Sequence, residues 1–462
     1  MNSLTSFLFL LFAAIVHAIS SSGDRLLVVL DDVAEKETYS KFLGDLESRG
    51  FQVNYETPKS EGLNLFHLGE KSYDHVLFLP TKSKGLGPNL TPNILLDFIN
   101  ANGNILLALS ASQSAPTSIV SLLLELDIHL PSDRQGLVVD HFNYDQLSAE
   151  EKHDVLILPA PGPLRPGVKD FFSSDLPVGG VIAFPNGMGQ TLGQSPLLTP
   201  ILRAPSTAYS YNPKEQAESL DDVFAAGAQL SLVSAMQARN SARFTIIGSA
   251  ELLSDKWFDA KVKKVGEKQE VSTVNREFAK RLAGWAFKEI GVLRVNWVEH
   301  HLNEVGQSNA SNPKIYRIKN DVTYSISLSE YSWDKYTPFT VPESDDLQLE
   351  FSMLSPFHRL NLEPVISSDD STTYSTSFKL PDQHGIFNFK VNYKRPFYNN
   401  IEEKNTVSVR HFAHDEWPRS FVISGAWPWI TGIGATVTGW LGFCALWLYS
   451  KPAKSGESKK TQ

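Results

Sequence analysis

From Phe421 to Tyr449 the chain carries no charged side chain, and Arg419 and Lys451 bracket the stretch. At ~1.5 Å of rise per residue, about twenty of these residues, wound as a helix, cross the ~30 Å hydrocarbon core of a bilayer. Trp427 and Trp429 stand near one end and Trp447 and Tyr449 near the other, where amphipathic rings settle at the headgroup level. The pattern predicts one transmembrane helix over residues 421–449, and everything else must fold on one side or the other of it.

The amino terminus decides which side. Residues 1–18 are almost entirely apolar, uncharged and closed by Val16-His17-Ala18, the pattern of a secretory signal peptide with a small-residue cleavage site. The tail 450–462 holds Lys451, Lys454, Lys459 and Lys460 against Glu457, so positive residues place it in the cytosol. A cleaved signal and one late span give a single-pass type I protein with its bulk in the lumen. Lys459 and Lys460 lie fourth and third from the carboxylate and resemble the dilysine retrieval signal of endoplasmic reticulum membrane proteins.

The whole chain has a formal charge of −9, and the part before the tail about −12, which argues against a nucleic-acid partner. The single cysteine, Cys444, sits in the predicted span. A lumenal region of roughly four hundred residues therefore folds without disulfides, and catalytic thiols, zinc-cysteine sites and redox motifs are excluded from it.

Apolar runs at Leu26–Leu30, Phe51–Tyr55, His75–Leu79 and Ile105–Leu109 alternate with helical patterns at Glu37–Arg49 and Pro92–Asn102, which reads as an open α/β domain over 24–145. A second α/β unit is expected over 146–291, with strands at Val155–Leu158, Val181–Phe184, Leu230–Met236 and Phe244–Ile247 and a helix carrying Phe278, Leu282 and Trp285. The period then shortens to two: Val322, Tyr324, Ile326 and Leu328 alternate with polar residues, as do Phe387, Phe389, Val391 and Tyr393. That pattern predicts a membrane-proximal β-sandwich over 292–412. The fold class is thus α/β followed by all-β, with one C-terminal transmembrane helix.

Signatures of chemistry are sparse. Asn186-Gly187-Met188-Gly189 opens a glycine-rich loop, but its third glycine falls one residue too late for a dinucleotide fingerprint. His141 and Asp145, in Asp140-His141-Phe142-Asn143-Tyr144-Asp145, are the ligand or general-base candidates, set against an ordinary loop-bracing role. His300 and His301 are adjacent on a predicted strand and so point to opposite faces. Nucleophile elbow, P-loop, zincin and D-x-D motifs are absent, no catalytic, cofactor or metal residue is assigned, and no cofactor is expected. Asn89 and Asn309 head N-glycosylation sequons, with Pro92 directly after the first. In the span, Gly434, Thr438 and Gly442 recur at four-residue spacing, and Thr431, Ala435 and Gly439 form a neighbouring stripe. Small residues so placed let another helix approach closely.

Six blocks in order carry a family resemblance: Leu26-Leu27-Val28-Val29-Leu30-Asp31-Asp32; Arg49-Gly50-Phe51; residues 138–145; residues 237–243; residues 287–295; and Phe378-Lys379-Leu380-Pro381 with residues 385–391. Together they are similar to the forty-eight-kilodalton subunit family of oligosaccharyltransferase, the wheat-germ-agglutinin-binding-protein type in fungi. The resemblance implies a non-catalytic subunit of the complex that moves a preassembled glycan from dolichyl diphosphate to Asn-x-Ser/Thr of nascent proteins. Its implied partners are the catalytic multi-spanning subunit, the ribophorin II-type and the defender-against-cell-death-type subunits, the membrane, and the lipid-linked oligosaccharide or nascent peptide. Residues 159–193 match that family least. Two other readings stand beside it: an anchored lumenal α/β enzyme using His141 and Asp145, and a glycoprotein cargo receptor of the early secretory pathway.

Overall fold

The computed structural model describes residues 20–60, 62–164, 168–174, 176–177, 179–213, 223–303, 311–417 and 426–449. The signal segment, Asn309 and the dilysine tail lie outside them.

A seven-stranded sheet organises the first half. Its strands are β1 (Arg25–Val29), β2 (Gln52–Glu56), β3 (His75–Phe78), β4 (Asn104–Ala108), β5 (Leu198–Arg203), β6 (Ser231–Gln237) and β7 (Arg243–Ile247), in the spatial order β5-β6-β7-β4-β3-β1-β2. The run β2-β1-β3-β4-β7 is parallel throughout, and β6 and β5 extend it antiparallel. Parallel strands need both faces covered, hence the unbroken apolar runs such as Leu26–Val29. Leu26 and Val28 join one core with Phe42 and Leu46 of α1 (Ser40–Ser48) and Phe278, Leu282 and Trp285 of α4 (Asn275–Ala286). Leu27 and Val29 join the other with Leu95 and Phe98 of α2 (Pro92–Asn100) and Ile119 and Leu122 of α3 (Thr117–Glu125). The result is a three-layer, doubly wound arrangement.

The expected division at residue 145 does not separate two sheets. β5, β6 and β7, assigned from sequence to a second unit, complete the sheet begun by β1–β4, with Phe244 opposite Ile105 and Ile247 opposite Ala108. Left alone, β4 would expose one edge of an almost wholly apolar strand, and β7 closes it. Within 146–197 the hairpin Val155–Pro159 with Val181–Pro185 stands apart from this sheet, laying Leu156, Leu158, Ile182 and Phe184 on the α1/α4 core.

Without a linker, α4 runs into β8 (Ile290–Leu302), the first strand of two facing five-stranded sheets. One sheet holds β8, β10 (Asp321–Ser332), β14 (Thr372–Lys379), β13 (Glu363–Ser367) and the short strand Lys335–Pro338. The other orders β9 (Ile315–Arg317), β16 (Ile401–Arg410), β15 (Gly385–Tyr393), β11 (Gln348–Ser352) and β12 (Pro356–Asn361). The two-residue period does the sorting. Val322, Tyr324, Ile326 and Leu328 turn inward, while the hydroxyls of Thr323 and Ser325 pair outward with Ser377 and Ser375 across the strands. Tyr324 stacks on Phe389 of the facing sheet at 5.5 Å between ring centroids. The sandwich core continues into the α1/α4 core through Trp285, Phe171, Phe172, Phe397 and Tyr398. Last, α5 (Trp427–Leu448) is a 22-residue apolar helix with no buried residue, long enough to cross a membrane.

Candidate functional site

The block at residues 140–145 folds into a tight surface turn whose carboxylates are structural. Asp140, fully buried, accepts from the main-chain N–H of Phe142 (2.8 Å) and Asn143 (3.2 Å), from Asn143 Nδ2 (2.9 Å) and from Thr207 Oγ1 (2.7 Å). These donors hold its pKa below the usual carboxylate range despite the opposing effect of burial. Asp145, also buried, accepts from the N–H groups of Leu147, Ser148 and Lys263 (3.3, 3.1 and 2.8 Å) and from Ser148 Oγ (2.5 Å). A carboxylate so engaged has little capacity left to ligate an ion, so Asp145 braces the loop.

His141 points the other way, to the surface, and meets two groups that sequence inspection did not connect with it. Its Nδ1 is in hydrogen-bond contact with His153 Nδ1, and its Nε2 lies 2.9 Å from the Tyr209 hydroxyl. His153 reaches the Glu150 carbonyl through Nε2 at 3.1 Å, and the Tyr144 ring stacks on it at 3.9 Å. Residues 141, 153 and 209 come from three separate segments, joined by the pairing of Tyr209–Tyr211 with Leu137–Val139. Of the three, only His141 stood out in the sequence. Among the described residues, no group of three or more His, Cys, Asp or Glu is placed to hold a metal ion.

The remaining candidates sort quickly. His300 turns into the sandwich, with Nδ1 2.7 Å from the Tyr316 hydroxyl and its ring stacked on Phe389, and burial pulls its pKa down to about 4. In the glycine-rich loop, a Cβ at Gly187 would lie 2.0 Å from the Phe184 ring and one at Gly189 2.6 Å from Leu230, so packing explains both glycines. Asn89 lies in the 3-10 turn Pro88–Leu90, and the hydroxyl of its sequon partner Thr91 caps α2 at the Ile94 N–H. Gly434, Thr438 and Gly442 fall along one face of α5. A Cβ on either glycine would meet nothing, and the Thr438 hydroxyl donates back to the Gly434 carbonyl at 2.7 Å.

Between the two units lies an open groove of about 550 Å³ whose lining includes Thr199, Gln237, Arg239, Trp285, Phe397 and Asn400. Beside it sits the junction itself. Arg243, fully buried, donates through Nη1 to the carbonyls of Trp285 (2.6 Å) and Ile290 (2.7 Å), and through Nη2 to Gly291 O (2.7 Å) and Asn399 Oδ1 (3.0 Å). Burial draws its pKa down to about 9, which leaves it protonated at neutral pH. Trp285 Nε1 donates to Phe397 O at 2.9 Å, so one cluster ties sheet, helix and sandwich together.

The arrangement is that of two packed units followed, among the described residues, by one long apolar helix, and the buried polar groups described above serve architecture. Comparison with known proteins accords with that. The chain is 36% identical over 90% of its length, and 90% of the relative's, to the wbp1 subunit of dolichyl-diphosphooligosaccharide–protein glycosyltransferase from Schizosaccharomyces pombe. It is 32% identical to the 48 kDa subunit of Danio rerio, over 97% of each chain. It is 30% identical to that of Arabidopsis thaliana, over 92% of this chain and 93% of the other. A family model described as the OST48 N-terminal domain matches residues 17–289, and one described as the OST48 middle domain matches residues 300–451, so the chain belongs to the OST48 family.

Proposed function

We infer that this chain is a non-catalytic subunit of the oligosaccharyltransferase complex, supporting en bloc transfer of a dolichol-linked glycan to Asn-x-Ser/Thr of nascent proteins. The observation that carries the reading is the end-to-end match to relatives that bear that subunit's name, over 90% or more of both chains. The engagement of Asp140 and Asp145 by loop donors supports a scaffolding role over an anchored enzyme.

In this reading the ectodomain faces the lumen of the endoplasmic reticulum and α5 spans its membrane once, with residues 450–462 in the cytosol. The sandwich stands nearest the bilayer because only residues 411–426 separate β16 from α5. The exposed Gly434/Thr438/Gly442 face packs against a neighbouring subunit's helix, the partners being the catalytic multi-spanning, ribophorin II-type and defender-against-cell-death-type subunits. Lys459 and Lys460 return any escaped complex, and Asn89 and Asn309 are acceptor sites. Depleting the chain from cells and scoring glycan occupancy on unrelated glycoproteins tests the role. Occupancy should fall across many sequons, and unchanged occupancy refutes it. Mild-detergent purification should recover the partner subunits stoichiometrically, whereas a monomer rules the assembly out.

A further inference from the structure

The His141–His153 contact poses a problem of protons. His153 Nε2 faces the Glu150 carbonyl, which can only accept, so that nitrogen carries the hydrogen and His153 Nδ1 is bare in the neutral ring. The opposing His141 Nδ1 is therefore tolerated only if something electron-poor lies between the two nitrogens. Either a proton sits on His141 Nδ1, or a cation takes its place and the His141 hydrogen moves to Nε2, where the Tyr209 oxygen accepts it at 2.9 Å. In the second state both imidazoles present Nδ1 to one point, and each is held from behind through Nε2, by a carbonyl and by a phenol oxygen. That is how metal-bound histidines are oriented. The pair is also held before anything binds: Tyr144 stacks on His153 at 3.9 Å, and the buried Asp140 pins the main chain just after His141, at the N–H groups of Phe142 and Asn143.

We propose that His141 and His153 form a two-histidine site for a borderline divalent cation of the zinc class, with Tyr209 as the residue that positions His141. Imidazole nitrogen suits zinc, copper and nickel, and excludes calcium and magnesium, which want oxygen. Zinc–nitrogen bonds of ~2.0–2.1 Å set two ligands ~3.3 Å apart in a tetrahedron, so binding opens the pair slightly, a motion left to the exposed His141. Because no third protein ligand joins them among the described residues, water completes the shell, and the affinity is micromolar, not the tighter binding of a closed structural site. The negative ectodomain draws cations to its surface.

The test is a titration of the purified intact complex with zinc chloride, followed by calorimetry, with His141→Gln, His153→Gln and Tyr209→Phe in parallel. The wild type should bind one more zinc per chain than either histidine variant. Tyr209→Phe keeps both nitrogens and should bind the same ion about tenfold more weakly, as loss of an outer partner does. Acylation of histidines by diethyl pyrocarbonate, mapped by mass spectrometry on the wild type, needs no variant: zinc should protect His141 and His153 and leave His129 unprotected. Equal zinc stoichiometry in the wild type and His153→Gln, or no protection of either ring, overturns the site and leaves a proton-sharing pair.

Discussion

Replacing Arg243 by methionine should loosen the junction between sheet and sandwich. Methionine fills most of the aliphatic volume but offers no donor, so the carbonyls of Trp285, Ile290 and Gly291 and the Asn399 amide oxygen all lose the guanidinium, although Trp285 O and Gly291 O each keep a main-chain N–H, from Lys288 and Asn399. Each such group left unpaired costs about 1–3 kcal/mol. Removing a cation from a dry site recovers several kcal/mol of desolvation, which is why swapping a whole buried ionic cluster for apolar residues can be neutral. Here the acceptors are neutral oxygens that stay behind, so the several lost charge-assisted hydrogen bonds outweigh that recovery by about 3–5 kcal/mol. The guanidinium also sits 4.7 Å from the centroid of the Trp285 ring, a cation–π attraction that an uncharged thioether does not replace. At ~2–4 °C per kcal/mol for a domain of this size, Tm should fall by about 6–20 °C. Arg243→Lys keeps the charge, reaches fewer acceptors from one nitrogen and should fall in between. Thermal unfolding of the purified protein reads the change, and limited proteolysis should cut newly near residues 287–291. A methionine variant melting within about 2 °C of wild type would refute the assignment of this arginine as the tie between the units.

Three further outcomes follow from the same structure. Burial pushes the Glu289 carboxyl up to about 7 against the pull of Arg49, above its ordinary 4.5, so its contribution to stability is full below pH 4.5 and is lost as pH rises to about 7; in urea unfolding, the stability of wild type minus Glu289→Gln should fall between pH 4.5 and 7 and then level off, and a difference that grows with pH contradicts this. Gly291 has φ +69° and a Cβ there would lie 2.6 Å from Phe397 O, so Gly291→Ala should cost about 2–4 kcal/mol through strain and displacement of the junction loop, and a Tm matching wild type would count against it. Gly434→Leu with Gly442→Leu should reduce recovery of partner subunits from detergent several-fold while the melting of the sheet and sandwich units stays unchanged; full recovery would show that this face does not pack.

Periodicity made much of the architecture legible. The apolar strands of the first half, the alternating strands Asp321–Ser332 and Gly385–Tyr393, and the 22-residue helix all follow from spacing between neighbours in the chain. What could not be read was which strands share a sheet. β4 and β7 pair in parallel across about 135 residues, and parallel pairing leaves no turn or local register to signal it. The division near residue 145 looked natural because a proline- and glycine-rich stretch follows, yet that stretch is an excursion from a single sheet. At the site, His141 stood out beside two carboxylates that proved to be loop braces, whereas His153 arrives from a loop and Tyr209 from a short strand, neither with a chemical signature of its own. Arg243 gave no warning either, since a lone arginine opening a strand reads as a solvated end until three segments, at residues 285, 290–291 and 399, are seen to close over it.

The same late-arriving strand bears on how the protein is made. β4 ends at Ala108, and the strand that covers its open side begins only at Arg243. At ~5–20 residues per second of synthesis, the growing chain carries a naked apolar sheet margin for roughly 7–27 s before its cover emerges. During that interval the nascent polypeptide presents an unpaired hydrophobic rim in a crowded compartment, a period in which a chaperone has reason to hold it and a stalled ribosome would leave behind a fragment prone to aggregate.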